Sequence, residues 1–261
     1  MSEQSIIFFD IDGTLLDFNK QIPASTKQAL ADLRAQGHEV AIATGRAPFM
    51  FDHIRKELDI DTYVSYNGQY VVLRGEVIYR NPLHADALIP LTEKAIENDN
   101  PIVYMDADDM RANVPEEHEY ITTSISTLQV DKFPTYDPAY YEQREMYQCL
   151  LFCLEGAEQR YAAEFKDFDF IRWHPMSVDV LPAGGSKAHG IAKITAKLGF
   201  APERQYAFGD GLNDVEMLKQ IHHSVAMGNA EPEAKAVARY VTKPVNEDGI
   251  LYGLQMVGLL D

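Results

Sequence analysis

The sequence predicts an α/β protein: a parallel, doubly wound sheet interrupted by an inserted α+β unit. Three observations carry this expectation. Short apolar runs alternate with helical patterns from Ile6 to Ser65. The alternation returns after Pro182-Ala183-Gly184-Gly185. Between about Leu83 and Pro182, strands and helices follow one another without that rhythm. Strands separated by helices favour parallel pairing through right-handed crossovers.

Taken in order, Ile6-Ile7-Phe8-Phe9 is an apolar run bounded by a glycine turn, the pattern of a strand buried on both faces. A helix follows Ile22-Pro23-Ala24, with Ala29, Leu30 and Leu33 on one face and Gly37 as its C-cap. Glu39–Ala43 is a second strand, another helix runs to about Leu58, and Tyr63–Ser65 is a third strand. Asn67-Gly68 marks a turn, and Tyr70–Leu73 with Val77–Tyr79 reads as a hairpin. In the middle segment the expected strands are Ile102–Met105, Met146–Leu154, Phe170–Trp173 and Val178–Leu181. The expected helices there are near Ala85–Asn98, Glu116–Ser126 and Glu158–Phe165. Beyond it, Ser186 caps a helix to about Leu198, and Gln205–Phe208 is a strand. The remaining expectations are a helix Asp214–Gln220, a strand near Ser224–Met227, and helical segments Glu231–Ala238 and about Asp248–Val257. The expected division is residues 1–82 with 183–261 as one domain and 83–182 as the inserted one.

Composition narrows the function classes. A chain of 261 residues with 46% hydrophobic and 24% charged residues suits a soluble globular protein of one large or two smaller domains. A formal charge of −17 argues against binding nucleic acid or an anionic membrane, both of which need clustered positive charge. The same charge repels an anionic substrate unless local cations offset it. No secretory signal pattern and no bilayer-length apolar run are evident, so a cytoplasmic protein is expected. Cys149 and Cys153 lie in a strand-like run and are expected to be buried reduced thiols.

The chemistry lies where strands end. Asp10 and Asp12 follow the first strand, and residues two apart on an extended chain project to the same side. Thr44-Gly45-Arg46 follows the second, and Gly209-Asp210-Gly211-Leu212-Asn213-Asp214 follows Gln205–Phe208. Lys187 opens a helix. In open parallel sheets the ligand crevice lies beyond the carboxyl ends of the strands. Acids, a hydroxyl and a lysine aimed at one such edge suit phosphoryl transfer with Mg²⁺, a hard ion that prefers carboxylate, carbonyl and water oxygens. Asp10 and Asp210 offer side-chain oxygens to the metal, and Asp12 a backbone carbonyl. Lys187, Thr44, Gly45 and Asn213 offer donors to phosphate. Asp10 is placed to attack phosphorus, and Asp12 to protonate the leaving oxygen and then deprotonate water. Each has a plainer alternative. Asp12-Gly13 and Asp210-Gly211 also read as turns, Lys187 as a solvated helix residue, and Asp214 as a helix cap. Arg46 reaches the substrate or sits at the surface, and the sequence does not choose. Arg172, Trp173, His174 and the Asp106/Asp108/Asp109 group read as structural or solvated.

Asp10-Ile11-Asp12-Gly13-Thr14-Leu15, Thr44-Gly45-Arg46, Lys187 and Gly209–Asp214 resemble the four ordered motifs of the haloacid dehalogenase superfamily. Asn67-Gly68, Ala226-Met227-Gly228-Asn229-Ala230 and Asn246-Glu247-Asp248-Gly249 are similar to its Cof-type hydrolase branch. The resemblance implies a Rossmann-like core, an α+β cap between the second and third motifs, and Mg²⁺-dependent hydrolysis of a small phosphomonoester. It also implies Asp10 as nucleophile and Asp12 as acid/base. Phosphate contacts would be Ile11 through its backbone, Thr44, Gly45, Lys187 and Asn213. Metal ligands would be Asp10, Asp12 and Asp210, with Asp214 in support. Ala188 follows Lys187 where the family often has glycine. A phosphotransferase or mutase would share Asp10 and Asp12 and differ in what accepts the phosphoryl group. A receiver-like module, the third reading, needs neither Asp12 nor a cap.

Overall fold

The computed structural model describes residues 4–115, 117–130 and 132–261. Its elements run β1 (Ile6–Phe9), α1 (Ala24–Ala35), β2 (Glu39–Ala43), α2 (Asp52–Leu58), β3 (Tyr63–Ser65), β4 (Tyr70–Leu73) and β5 (Glu76–Arg80). Then come α3 (Ala85–Glu97), β6 (Ile102–Met105), β7 (Met110–Ala112), α4 (Glu119–Ser126), β8 (Thr135–Tyr136), β9 (Gln148–Leu151), α5 (Glu158–Glu164), β10 (Phe168–His174) and β11 (Ser177–Pro182). The chain closes with α6 (Lys187–Leu198), β12 (Gln205–Gly209), α7 (Val215–Gln220), β13 (His223–Ala226), α8 (Pro232–Val237), β14 (Tyr240–Val241) and α9 (Gly249–Met256).

Contacts divide the chain into two compact units, one of residues 1–45, 53–79 and 186–261, the other of 46–52 and 80–185. The short segment after Gly45 thus belongs with the second unit, whereas a division drawn on strand rhythm assigns it to the first.

The first unit is built on an eight-stranded sheet of order β14-β13-β12-β1-β2-β3-β4-β5. β1 is central and pairs in parallel on both sides, Phe9 lying opposite Phe208 of β12 and Ile42 of β2. All four β1 side chains are fully buried, which is why this strand reads as an unbroken apolar run rather than an alternating one. On one face Ile6, Phe8, Ala41, Val64 and Ala207 pack against Ile191 and Ile194 of α6 and Met217 of α7. On the other, Phe9 stacks on Phe208 at 5.0 Å between ring centroids. Gly253 of α9 lies so close to Phe208 that a Cβ there would fall 2.5 Å from its ring. Helices on both faces make the unit Rossmann-like and doubly wound, and the parallel register brings residues 10, 44 and 210 out at the same sheet edge. After β3 the sheet turns antiparallel, Val64 lying opposite Val71 of β4.

The second unit carries a six-stranded sheet, β10-β11-β9-β6-β7-β8. Its pairs are antiparallel except β7 with β8. Leu88, Leu91 and Ala95 of α3 and Tyr161 of α5 share a core with Ile102, Tyr104, Cys149, Leu151, Val178 and Val180. Both cysteines are free and buried, and burial pushes the Cys149 thiol up. Three short strands, β7, β8 and β14, were not expected, and β9 is shorter than its apolar run. The expected start of a helix at Glu116 lies outside the described residues. Among the described residues no helix is long and apolar enough to cross a membrane.

Candidate active site

Four chain segments meet beyond the carboxyl ends of β1, β2 and β12 and at the start of α6. Ser186 accepts the His189 N–H as N-cap, so Lys187 opens α6. The Lys187 side chain is fully buried, and its Nζ donates to Asp10 Oδ1 and Asp214 Oδ1, each at 2.6 Å. A buried ammonium needs such partners, because an unpaired charge in a dry interior costs several kcal/mol. Burial works against the Lys187 charge, but the two carboxylates hold its pKa above the ordinary lysine range.

Asp214 spends both oxygens inside the site. Oδ1 takes Lys187, while Oδ2 accepts the backbone N–H groups of Asp210 (2.9 Å) and Gly211 (3.0 Å). It therefore closes the turn after β12, the capping reading, and anchors the lysine as well. Asp210 Oδ1 accepts the Thr14 hydroxyl at 2.8 Å, and Asn229 Nδ2 donates to the Gly13 carbonyl at 2.9 Å and to Asp210 Oδ2 at 3.4 Å. Asn229 Oδ1 in turn accepts the Val245 N–H at 2.8 Å. These contacts bind the turn after β1 to the turn after β12.

Gly13 sits at φ +77, and a Cβ there would lie 2.1 Å from Asp210 Oδ2. Its lack of a side chain permits both the left-handed turn and the approach of Asp210. Asp10, Asp210 and Asp214 offer carboxylate oxygens within 4.8 Å of one another. Burial pushes the Asp10 carboxyl well above the usual carboxylate range. Lys187 pulls it back, and Asp214, Asp210 and Asp12 push it further up. Asp210 is pushed up to about 7 by burial, with the Thr14 hydrogen bond opposing and Asp214 adding to the rise. Crowded acids of this kind fit a hard divalent cation, which takes carboxylate oxygens and offsets their repulsion.

Asp12 is paired at 2.6 Å with Lys20, a contact with no signature in the sequence. Lys20 lies at φ +57 in a loop organised by Asp17, whose carboxylate accepts the Asn19 and Gln21 N–H groups. Thr44 is buried. Its N–H donates to Val64 O, and its carbonyl accepts the Asn67 N–H at 3.1 Å. Asn213 Nδ2 donates to Asn67 Oδ1 at 3.1 Å. The Ile11 side chain is fully buried, leaving its backbone as the part able to meet a ligand. The structure thus brings Asp10, Ile11, Asp12, Thr44, Gly45, Lys187, Asp210, Asn213 and Asp214 into one unit. Asn67, Asn229 and Lys20 are additions that sequence reasoning did not place there. Arg46 is buried and donates to Leu128 O at 3.5 Å within the second unit.

A family model for haloacid dehalogenase-like hydrolases matches residues 7–254. The chain is 49% identical over 258 residues to a Bacillus subtilis protein named "Putative phosphatase YkrA", covering 99% of each. A solved protein of Geobacillus kaustophilus is 52% identical with a TM-score of 0.94, covering 98% of this chain and 100% of that one. The sugar phosphatase BT4131, of subclass IIB, is 31% identical with a TM-score of 0.87 and the same coverage. The chain belongs to the haloacid dehalogenase-like hydrolases.

Proposed function

We propose that the protein is a Mg²⁺-dependent phosphatase of small phosphomonoesters working through an aspartyl-phosphate. One observation carries this reading: three carboxylates gathered within 4.8 Å, two of them, Asp10 and Asp214, buried and paired with the ammonium of Lys187 and the third, Asp210, half-buried beside them. The sugar-phosphatase activity named for a relative of similar fold agrees with it.

Lys187 engages Asp10 Oδ1 and so presents Oδ2 to phosphorus. Oδ2 forms the new P–O bond as the bond to the leaving oxygen breaks, and Asp12 gives that oxygen its proton. Water then attacks the phosphoryl group, Asp12 takes its proton, and the P–Oδ2 bond breaks to release inorganic phosphate and restore Asp10. Asp10, Asp210 and the Asp12 carbonyl would hold Mg²⁺, which when bound supplies positive charge against the phosphoryl oxygens. Asp214 serves behind them, orienting Lys187 and the turn after β12. The Ile11 and Gly45 backbones, the Thr44 hydroxyl, Lys187 and Asn213 form the phosphate cradle. The second unit selects the substrate, a small phosphorylated metabolite such as a sugar phosphate.

The test is release of phosphate from p-nitrophenyl phosphate. Asp10→Asn is expected to lose roughly 10⁴-fold or more in turnover, the scale seen when a covalent nucleophile is removed. EDTA should stop the native enzyme and Mg²⁺ restart it. Turnover that survives either treatment removes the corresponding assignment.

A further inference from the structure

The turn Tyr66–Gly68, which the sequence marks as a turn and as similar to the Cof-type branch without giving it a role in the site, is locked to three parts of that site. Asn67 takes the left-handed conformation, φ 49 and ψ 38, which asparagine tolerates better than most residues. Its N–H donates to the Thr44 carbonyl. Gly68, at φ +102, is pressed so closely on the cap of α6 that a Cβ would lie 2.0 Å from Ser186 O. The Asn67 side chain lies against Gly45, where a Cβ would fall 3.0 Å from Nδ2 and 3.1 Å from Oδ1. The residue is only 5% exposed.

Asn67 therefore sits among the Thr44-Gly45 turn, the helix that carries Lys187, and Asn213. Oδ1 accepts from Asn213 Nδ2 at 3.1 Å, which fixes the amide so that Nδ2 is the end left to meet a ligand. Among the described residues Nδ2 has no hydrogen-bond partner, so its two N–H groups are available to a ligand. Two N–H donors beside the backbone of Gly45 suit an anion with several acceptor oxygens.

We propose that Asn67 donates from Nδ2 to a phosphoryl oxygen and, through Oδ1, orients the Asn213 amide beside it in the phosphate cradle. The proposal rests on the phosphatase reading of this site, and phosphate binding tests it separately from turnover.

The experiment uses the full chain with Mg²⁺ and measures inorganic phosphate binding by calorimetry, together with kcat and KM for p-nitrophenyl phosphate. Asn67→Gly removes the amide while keeping a residue that accepts the left-handed turn. Asn67→Asp keeps the shape, replaces both donors and adds a negative charge. Thermal melting confirms that each variant is folded. Loss of a hydrogen bond to a charged group should weaken phosphate binding roughly 10- to 100-fold in Asn67→Gly, and further in Asn67→Asp. Asn213→Ala should cost less than Asn67→Gly. Unchanged phosphate affinity in folded Asn67→Gly or Asn67→Asp overturns the proposal, as does a larger loss in Asn213→Ala. A native protein that binds no phosphate overturns it too. If the native protein binds phosphate through Asn67 yet hydrolyses no phosphomonoester, the phosphatase reading fails and this assignment stands.

Discussion

Two groups of aspartates close strands in this molecule, and they are neutralised in opposite ways. In the first unit Asp10, Asp210 and Asp214 crowd within 4.8 Å, and burial with mutual repulsion raises Asp10 and Asp210. In the second unit the loop from β6 to β7 carries Asp106, Asp108 and Asp109. Asp106 accepts the Asp108 and Asp109 N–H groups at 2.8 Å and the Tyr140 phenol at 2.6 Å. Asp109 pairs with Arg111 and, at 2.6 Å, with Lys132. Burial works to raise Asp109, but Lys132, the Met110 N–H and Arg111 hold it below the ordinary range. One group keeps acid in excess, suited to a cation from outside. The other is complete in itself. Adjacency along the chain is the weaker guide, since Thr14 and Asp210, hydrogen-bonded at 2.8 Å, stand 196 positions apart.

The sharpest way to break the contrast is Lys187→Met. It leaves Asp10 and Asp214 buried without their counter-ion, and should cost about 3–5 kcal/mol in metal-free urea unfolding. An unchanged midpoint would mean that the cluster tolerates its own charge. Gly13→Ala comes next, because the added methyl displaces Asp210 and the left-handed turn is strained. Turnover should fall about 100-fold for a stability loss of about 1–2 kcal/mol; equal activity would show that Asp210 need not stand where it does. An acid outside both groups extends the comparison. Half-buried Asp179 on β11 accepts from Gln148 at 2.8 Å, and burial pushes its carboxyl up to about 8. A raised acid stabilises the fold below its unfolded value of 3.8, and that contribution is lost as pH climbs through about 8. The melting temperature should therefore fall between pH 5 and 9, and fall less in Asp179→Asn; parallel curves would dismiss the effect. Smallest of all is Lys132→Ala, a half-exposed pair whose removal should shift stability by less than about 1 kcal/mol. A loss matching that of Lys187→Met would erase the distinction between the two groups.

Strands buried on both faces were legible because their sequences are apolar without a break, as in β1 and β2. Apolarity reports burial, not pairing, so Met146–Leu154 overstated β9. Phe152 and Cys153 are buried but lie beyond the strand. The two- and three-residue strands β7, β8 and β14 are too short to show a period. Within the site, the acids and lysine stand out because their charges fall at strand ends and a helix start. Asn67 and Asn229 carry no charge, and the motifs that contain them point to a family branch without assigning either one a role. Lys20 reaches Asp12 only because the Asp17 loop folds back, which no local pattern announces.

The central position of β1 has a consequence for how the protein is made. Made before both of its neighbours, β1 can pair early with β2, but its other edge belongs to β12, whose residues begin at Gln205. At about 5–20 residues per second, roughly 10–40 s of synthesis separate the two strands. For that interval Ile6-Ile7-Phe8-Phe9 presents an open, strongly apolar edge of the kind that recruits other chains. The strand that delivers Asp10 is thus also an aggregation hazard in the nascent chain, until β12 closes its edge and brings Asp210 with it.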